Sequence, residues 1–179
     1  MKLYLAPLEG ITSYIYRKAL YQCFDGLINY FIPFIRAKQN LNFSGREKKD
    51  ISLENNSGMY AVPQILSRNA DDFLRTANQL KEYGYQEVNL NLGCPSKTVV
   101  TKGCGAGFLT RPDELEQFLD RIFSKTDMKI SVKTRLGDGG CRGIPRLMEI
   151  YNRFPMEELI IHPRVQKDFY KNTPNLEAF

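Results

Sequence analysis

The stretch Glu87–Lys97, EVNLNLGCPSK, is patterned as a strand and sits between two segments of helical pattern. Val88, Leu90 and Leu92 alternate with Glu87, Asn89 and Asn91, the period of two that gives a strand two different faces. Before it, Phe73, Leu74, Ala77 and Leu80 form a helical stripe that opens with Asp71 and Asp72 and closes at Gly84. After it, Thr110 caps a second amphipathic helix. Pro112, Asp113 and Glu114 mark its start, and Leu115, Phe118, Leu119, Ile122 and Phe123 form its buried face. Helices alternating with short strands imply right-handed βαβ units around a parallel sheet. Gly93 and Pro95 end the central strand and place Cys94 on the turn past its carboxyl end. Parallel α/β folds bind ligands at that end, which makes Cys94 the first candidate for chemistry.

The same alternation extends in both directions. Lys2–Ala6 is a short first strand ended by Pro7, followed by a helix that Thr12 or Ser13 can cap and that runs to about Gln22 or Cys23. Gly26–Ile35 is a buried second strand made irregular near its end by Pro33. The polar segment 36–56, with Ser44-Gly45 as a turn signal, is expected to be a long surface loop or a short helix, with the basic residues at 36, 38, 46, 48 and 49 on a solvated face. Tyr60–Leu66, Lys129–Thr134 and Leu159–His162 are further strands, and Gly143–Phe154 is a helix.

Composition narrows the chemistry. With 42% hydrophobic and 25% charged residues the chain is ordinary globular material, not disordered. No apolar run approaches the length needed to span a membrane, and MKLYLAPLEG lacks a secretory apolar core, so a cytoplasmic protein with no membrane partner is expected. Cys23, Cys94, Cys104 and Cys141 form no CxxC pair and His162 is the only histidine, which argues against a structural zinc site or any other metal centre. No G-x-S-x-G elbow accompanies the histidine. The formal net charge of +5 fits a polyanionic partner without requiring one. Cys23, Cys104 and Cys141 read as structural or incidental, and the glycines at 103, 105 and 107 as a flexible segment after the Cys94 turn, since they lack the Rossmann spacing.

Four strand ends deliver polar side chains to one rim: Gln64, Asn91 with Cys94, Lys133 and His162. If the strands are parallel neighbours, these converge on a site with amides, a cation and an imidazole but no acidic cluster. Such a site suits an anionic heteroaromatic ligand better than a metal ion. Read one at a time, Gln64, Lys133 and His162 would be ordinary strand-end residues, and Asn89 an outward-facing one.

Six motifs in order carry a resemblance that spans nearly the whole chain. They are APLEGIT (6–12), PQI around Gln64, NLNLGCPSK (89–97), GCGAGFL (103–109), VKTRLG (132–137) and IHPR (161–164). Together they resemble the tRNA-dihydrouridine synthases, flavoproteins with a TIM-barrel catalytic domain. The resemblance implies a (β/α)8 barrel of α/β class, truncated here after about six strands. The last two strands, which carry the loops for the flavin phosphate, and a C-terminal helical tRNA-binding domain are expected to be absent.

The resemblance also implies roles. Pro7, Leu8 and Glu9 would lie along the ring of FMN, with Leu8 in place of the usual Met, and Gln64, Lys133 and His162 would contact the flavin. Asn91, Lys97, Arg135 and Arg164 would serve the substrate, with Lys102 and Arg111 further candidates for tRNA phosphates. Cys94 would be the proton donor when a tRNA uridine is reduced at the expense of NADPH. A thiol suits that role because its ordinary pKa lets it give up a proton and be restored by solvent. Two other readings stay open: a TIM-barrel flavin reductase acting on a small pyrimidine or enone, and an inactive tRNA-binding fragment. A six-strand open barrel would leave its first and sixth strands unpaired, so self-association through these edges, or disorder over residues 165–179, is expected.

Overall fold

The computed structural model describes residues 2–39, 42–137 and 143–178; Cys141 lies outside them. Six strands, β1 (Leu3–Leu5), β2 (Leu27–Arg36), β3 (Ala61–Leu66), β4 (Glu87–Leu92), β5 (Lys129–Arg135) and β6 (Leu159–His162), alternate with helices. These are α1 (Tyr14–Cys23), α2 (Gly45–Ile51), α3 (Ala70–Glu82), α4 (Lys97–Val100), α5 (Pro112–Lys125) and α6 (Ile144–Tyr151). All strands are parallel and stand in the sheet in chain order, β1 to β6. This order has no point of reversal, which is barrel winding rather than the doubly wound kind. The sheet curls so far that Tyr4 on β1 donates a hydrogen bond to the carboxylate of Glu158, one residue ahead of β6, at 2.8 Å. The result is a partial barrel of the TIM type.

Alternation along β4 settles into two buried faces. Val88, Leu90 and Leu92 share one hydrophobic core with Ile130 and Val132 of β5, Phe73, Ala77 and Leu80 of α3, and Leu115, Phe118, Leu119 and Ile122 of α5. Each such leucine, fully buried, contributes about 1.5–3 kcal/mol of transfer free energy. The other face, Glu87, Asn89 and Asn91, is equally buried. Asn89 is therefore an interior residue and not an outward-facing one: it is bonded to Gln64 and Ser131.

Several local expectations are corrected. Ser44-Gly45 is a helix start: the Ser44 hydroxyl accepts from the Glu47 amide while the Glu47 carboxylate accepts from the Ser44 amide, a complete capping box that opens α2. Neither Thr12 nor Ser13 caps α1 with its side chain. The Asp50 carboxylate accepts the Tyr14 amide at 2.7 Å instead, so α1 is capped from α2. Thr110 donates its hydroxyl to Gly107 O and does not cap α5, which begins at Pro112 as its sequence predicts. At Pro33, where irregularity is expected, the β2–β3 register shifts between Ile32 and Ile35.

The glycine segment after Cys94 is not a loose linker but a buried 3-10 turn, 105–110. Gly105 has φ +55, and a Cβ there would meet Cys94 O at 2.8 Å; one at Gly107 would meet Val100 O at 2.8 Å. Residues 163–178 likewise fold back over the barrel mouth. The Asn175 amide reaches Pro163 O at 2.7 Å, and the Gln166 amide reaches Pro95 O at 3.3 Å.

Candidate active site

A cavity of about 370 Å³ opens at the carboxyl ends of the strands. Pro7, Leu8, Glu9 and Ile11 follow β1, Phe34 comes from β2, and the turn Gly93–Ser96 follows β4. Lys133 and Arg135 come from β5, His162 from β6, and Phe169 and Tyr170 from the segment beyond. Of the residues expected from sequence, Pro7, Leu8, Glu9, Cys94, Lys133, Arg135 and His162 meet here. Gln64, Asn91, Lys97 and Arg164 do not line the cavity.

The Cys94 turn is held from below by a continuous line of hydrogen bonds inside the barrel. Asn91 Oδ1 accepts from the amides of Gly93 at 3.1 Å and Cys94 at 2.9 Å, and Asn91 Nδ2 donates to Gln64 Oε1 at 2.6 Å. Gln64 Nε2 donates to Asn89 Oδ1 at 2.7 Å, and Asn89 Nδ2 donates to Ser131 Oγ at 2.9 Å. Ser131 and Tyr60 then donate to the two oxygens of Glu87. Buried amides and carboxylates satisfied in this way rigidify what they touch. Gln64 and Asn91 do not line the cavity; their amides are bonded within the barrel interior and hold the Cys94 turn.

Arg135 lines the cavity and is also held by backbone carbonyls. It is 1% exposed, and its guanidinium donates to Gly93 O at 2.8 Å, Val165 O at 3.1 Å and Phe169 O at 3.0 Å, with the Tyr170 ring 5.4 Å away. Such an arginine clamps the Cys94 turn to the segment beyond β6 and is not free to reach an RNA backbone. Arg164 Nε donates to Asn172 O at 2.6 Å and its Nη1 lies 2.9 Å from His162 Nε2. Lys97 is exposed on the first residue of α4.

Electrostatics follow from this placement. A guanidinium only donates, so His162 Nε2 accepts and the imidazole is neutral with its hydrogen on Nδ1. Burial, followed by the charges of Arg135, Lys133 and Arg164, pushes the His162 pKa down to about 4. Lys133 has no hydrogen-bond or ion-pair partner among the described residues, and burial with Arg135 nearby lowers its pKa. Burial pushes the Cys94 thiol up, a hydrogen bond from the Ser96 backbone opposes it, Glu9 adds to the rise, and Arg36 and Arg135 oppose it. The thiol therefore keeps its proton near neutral pH.

Pro7, Leu8, Ile11 and Phe34 give the cavity an apolar lining that it shares with this unpaired lysine and with Tyr170. That donor set fits a flat, electron-accepting heteroaromatic ring. Lys133 stands ready for negative charge on it. No group of three or more potential metal ligands occurs among the described residues.

The profile of the dihydrouridine synthase family matches residues 4–178. The chain belongs to this family. Among its relatives, tRNA-dihydrouridine synthase B of Pasteurella multocida is 26% identical over 171 residues, covering 95% of this chain and 51% of the relative. The enzyme of the same name from Vibrio vulnificus is 28% identical over 181 residues, 99% of this chain and 54% of the relative. The tRNA-dihydrouridine(16) synthase of Cupriavidus necator is 30% identical over 142 residues, 76% of this chain and 44% of the relative. The chain thus spans about half the length of the curated dihydrouridine synthases it matches.

Sequence reasoning missed Phe34, Arg36, Phe169 and Tyr170. Arg36 ends β2 as Gln64 nears the end of β3, so the strand-end rule would have found it, but it was grouped with the solvated basic residues. Phe169 and Tyr170 follow the last strand in a polar stretch with no periodic signal. No described helix is long and apolar enough to cross a membrane.

Proposed function

We propose that this chain carries the catalytic half of a cytoplasmic, FMN-dependent enzyme that reduces one uridine of tRNA to 5,6-dihydrouridine with NADPH, Cys94 protonating C5. The observation that carries the reading is one cavity lined by both Cys94, whose thiol pKa burial raises, and Lys133, whose side chain has no ion-pair partner among the described residues. Pro7, Leu8 and Glu9 would flank the ring, with Lys133 and His162 at its polar edge. Bound FMN would supply hydride, drawn from NADPH, to uracil C6. Lys133 Nζ favours negative charge beside it, electrostatic help that a buried cation gives more strongly than a solvated one. Neutral His162 offers an Nδ1–H to a carbonyl of the ring or base. Cys94 gives its proton to C5 and regains one from solvent, so hydride and proton together saturate the C5–C6 bond.

A base in folded tRNA must leave its stack to reach this cavity. In outline the reading also includes association of chains through β1 and β6, each paired on one side only among the described strands. Sedimentation showing a monomer at all concentrations would count against that part.

The decisive experiment uses purified chain, FMN, NADPH and unmodified tRNA. A flavin spectrum and dihydrouridine formation are expected, and Cys94→Ala should abolish product while NADPH still bleaches the flavin. Full product formation by Cys94→Ala would remove the proton-donor assignment.

A further inference from the structure

A second cavity, of about 530 Å³, lies at the carboxyl ends of β2 and β3. Arg36, Lys38, Arg68 and Lys102 line it, and its one carboxylate, Asp72, is already paired with Arg75. None of the four cations has an ion pair or a side-chain hydrogen bond with a described residue. By contrast Arg17, Arg75, Arg121 and Arg146 each face a carboxylate. Four unmatched positive charges around one concavity focus a field that attracts an anion.

This cavity shares two walls with the first. Phe34 lines one and Arg36 the other, two residues apart on β2, with the Arg36 guanidinium 5.5 Å from the Phe34 ring centre. Across from them Cys94 borders the first and Cys104 the second, joined by the Ala106 amide donating to Cys94 O at 3.1 Å. The charge of Arg36 is felt at both thiols, lowering each. No aromatic ring lines the second cavity, so it offers nothing on which a nucleobase could stack.

We infer that this basic cavity holds a backbone phosphate of the RNA strand beside the nucleotide that enters the Cys94 cavity. The inference rests on the functional reading above for what occupies the first cavity. It shifts phosphate recognition away from Arg135 and Arg164, whose guanidinium groups bond backbone carbonyls, and adds Arg36, Lys38 and Arg68 to Lys102. A flipped nucleotide keeps its two flanking phosphates at the cavity mouth, and the basic cavity adjoins that mouth through Phe34 and Arg36.

The test is binding of unmodified tRNA to the full chain by fluorescence anisotropy across a salt series. Each phosphate contact with a single strand contributes about 0.7 to the slope of log affinity against log salt. Arg36→Gln combined with Arg68→Gln, which empties this one phosphate site, should therefore reduce the slope by about 0.7. Lys48→Ala combined with Lys49→Ala on the exposed side of α2, the same loss of charge, should leave it near wild type. Equal loss in both pairs, or an unchanged slope in the first, overturns the assignment. A normal RNA slope with weakened NADPH binding in the first pair also overturns it, giving the cavity to the reductant's phosphate. If the wild-type chain shows the slope difference but forms no dihydrouridine, the functional reading falls and the phosphate site stands.

Discussion

Asn91 presents its carbonyl to two consecutive amides, those of Gly93 and Cys94, and its own amide to Gln64. Asn91→Ala would release the turn without touching the cavity. A displacement of about 1 Å at a reacting group can lower turnover about 100-fold. Single-turnover reduction at saturating tRNA should fall by about that factor while the Kd for tRNA holds. A rise in Kd with normal turnover would instead make Asn91 a substrate contact. His162 gives a second residue-scale prediction. Its pKa is 6.5 when unperturbed and about 4 in the fold, so the unfolded chain takes up the proton first as pH falls. Stability from this group is intact above about pH 6.5 and declines toward pH 4. Urea midpoints at about pH 7 and about pH 5 should converge in His162→Gln relative to wild type.

At the scale of elements, α1 and α2 depend on one buried arginine. Arg17 is fully buried, donates to Thr12 O, Asp50 O and Asn56 Oδ1, and lies 3.8 Å from the Asp50 carboxylate. Arg17→Ala strands those acceptors and should cost about 3–5 kcal/mol in denaturant unfolding. The 3-10 turn after Cys94 makes a different prediction. Gly105→Ala places a methyl 2.8 Å from Cys94 O and 2.9 Å from Val99 Cγ1 on a residue with positive φ. Overpacking of this kind costs about 1–3 kcal/mol, and the displaced turn should depress turnover beyond what the lost stability explains.

These elements also show what the sequence made legible. The strands, α3 and α5 follow from periodicity, because one apolar face per element had to meet a common core. The other face of β4 was visible as polar, but a period of two is identical whether that face meets water or a barrel interior, so the pattern alone leaves Asn89 looking outward although it is buried. The Arg17 anchor could not be read, since its partners are backbone carbonyls 5 and 33 residues away. The α2 start was legible in principle: Ser44 and Glu47 have capping-box spacing, and Gly45 drew attention to a turn instead. Cys94, Lys133 and His162 stand at or near the carboxyl ends of strands, where the pattern points to them, whereas Tyr170 lines the cavity from a stretch with no periodic signal.

For the whole molecule, each strand after the first pairs with the one made just before it. β4 is buried along its whole length, β6 is half-buried throughout, and β1 is the shortest strand. Hydrogen exchange should rank protection in that way, slowest in β4 and β5 and fastest in β1 and β6; uniform protection would mean that the edges are covered in solution. The strand order also bears on how the chain is made. Each new βα unit can dock on a finished neighbour without waiting for distant sequence, so assembly can keep pace with emergence from the ribosome. The Tyr4–Glu158 bond, spanning 154 positions, then forms last and acts as a late lock on a sheet already built.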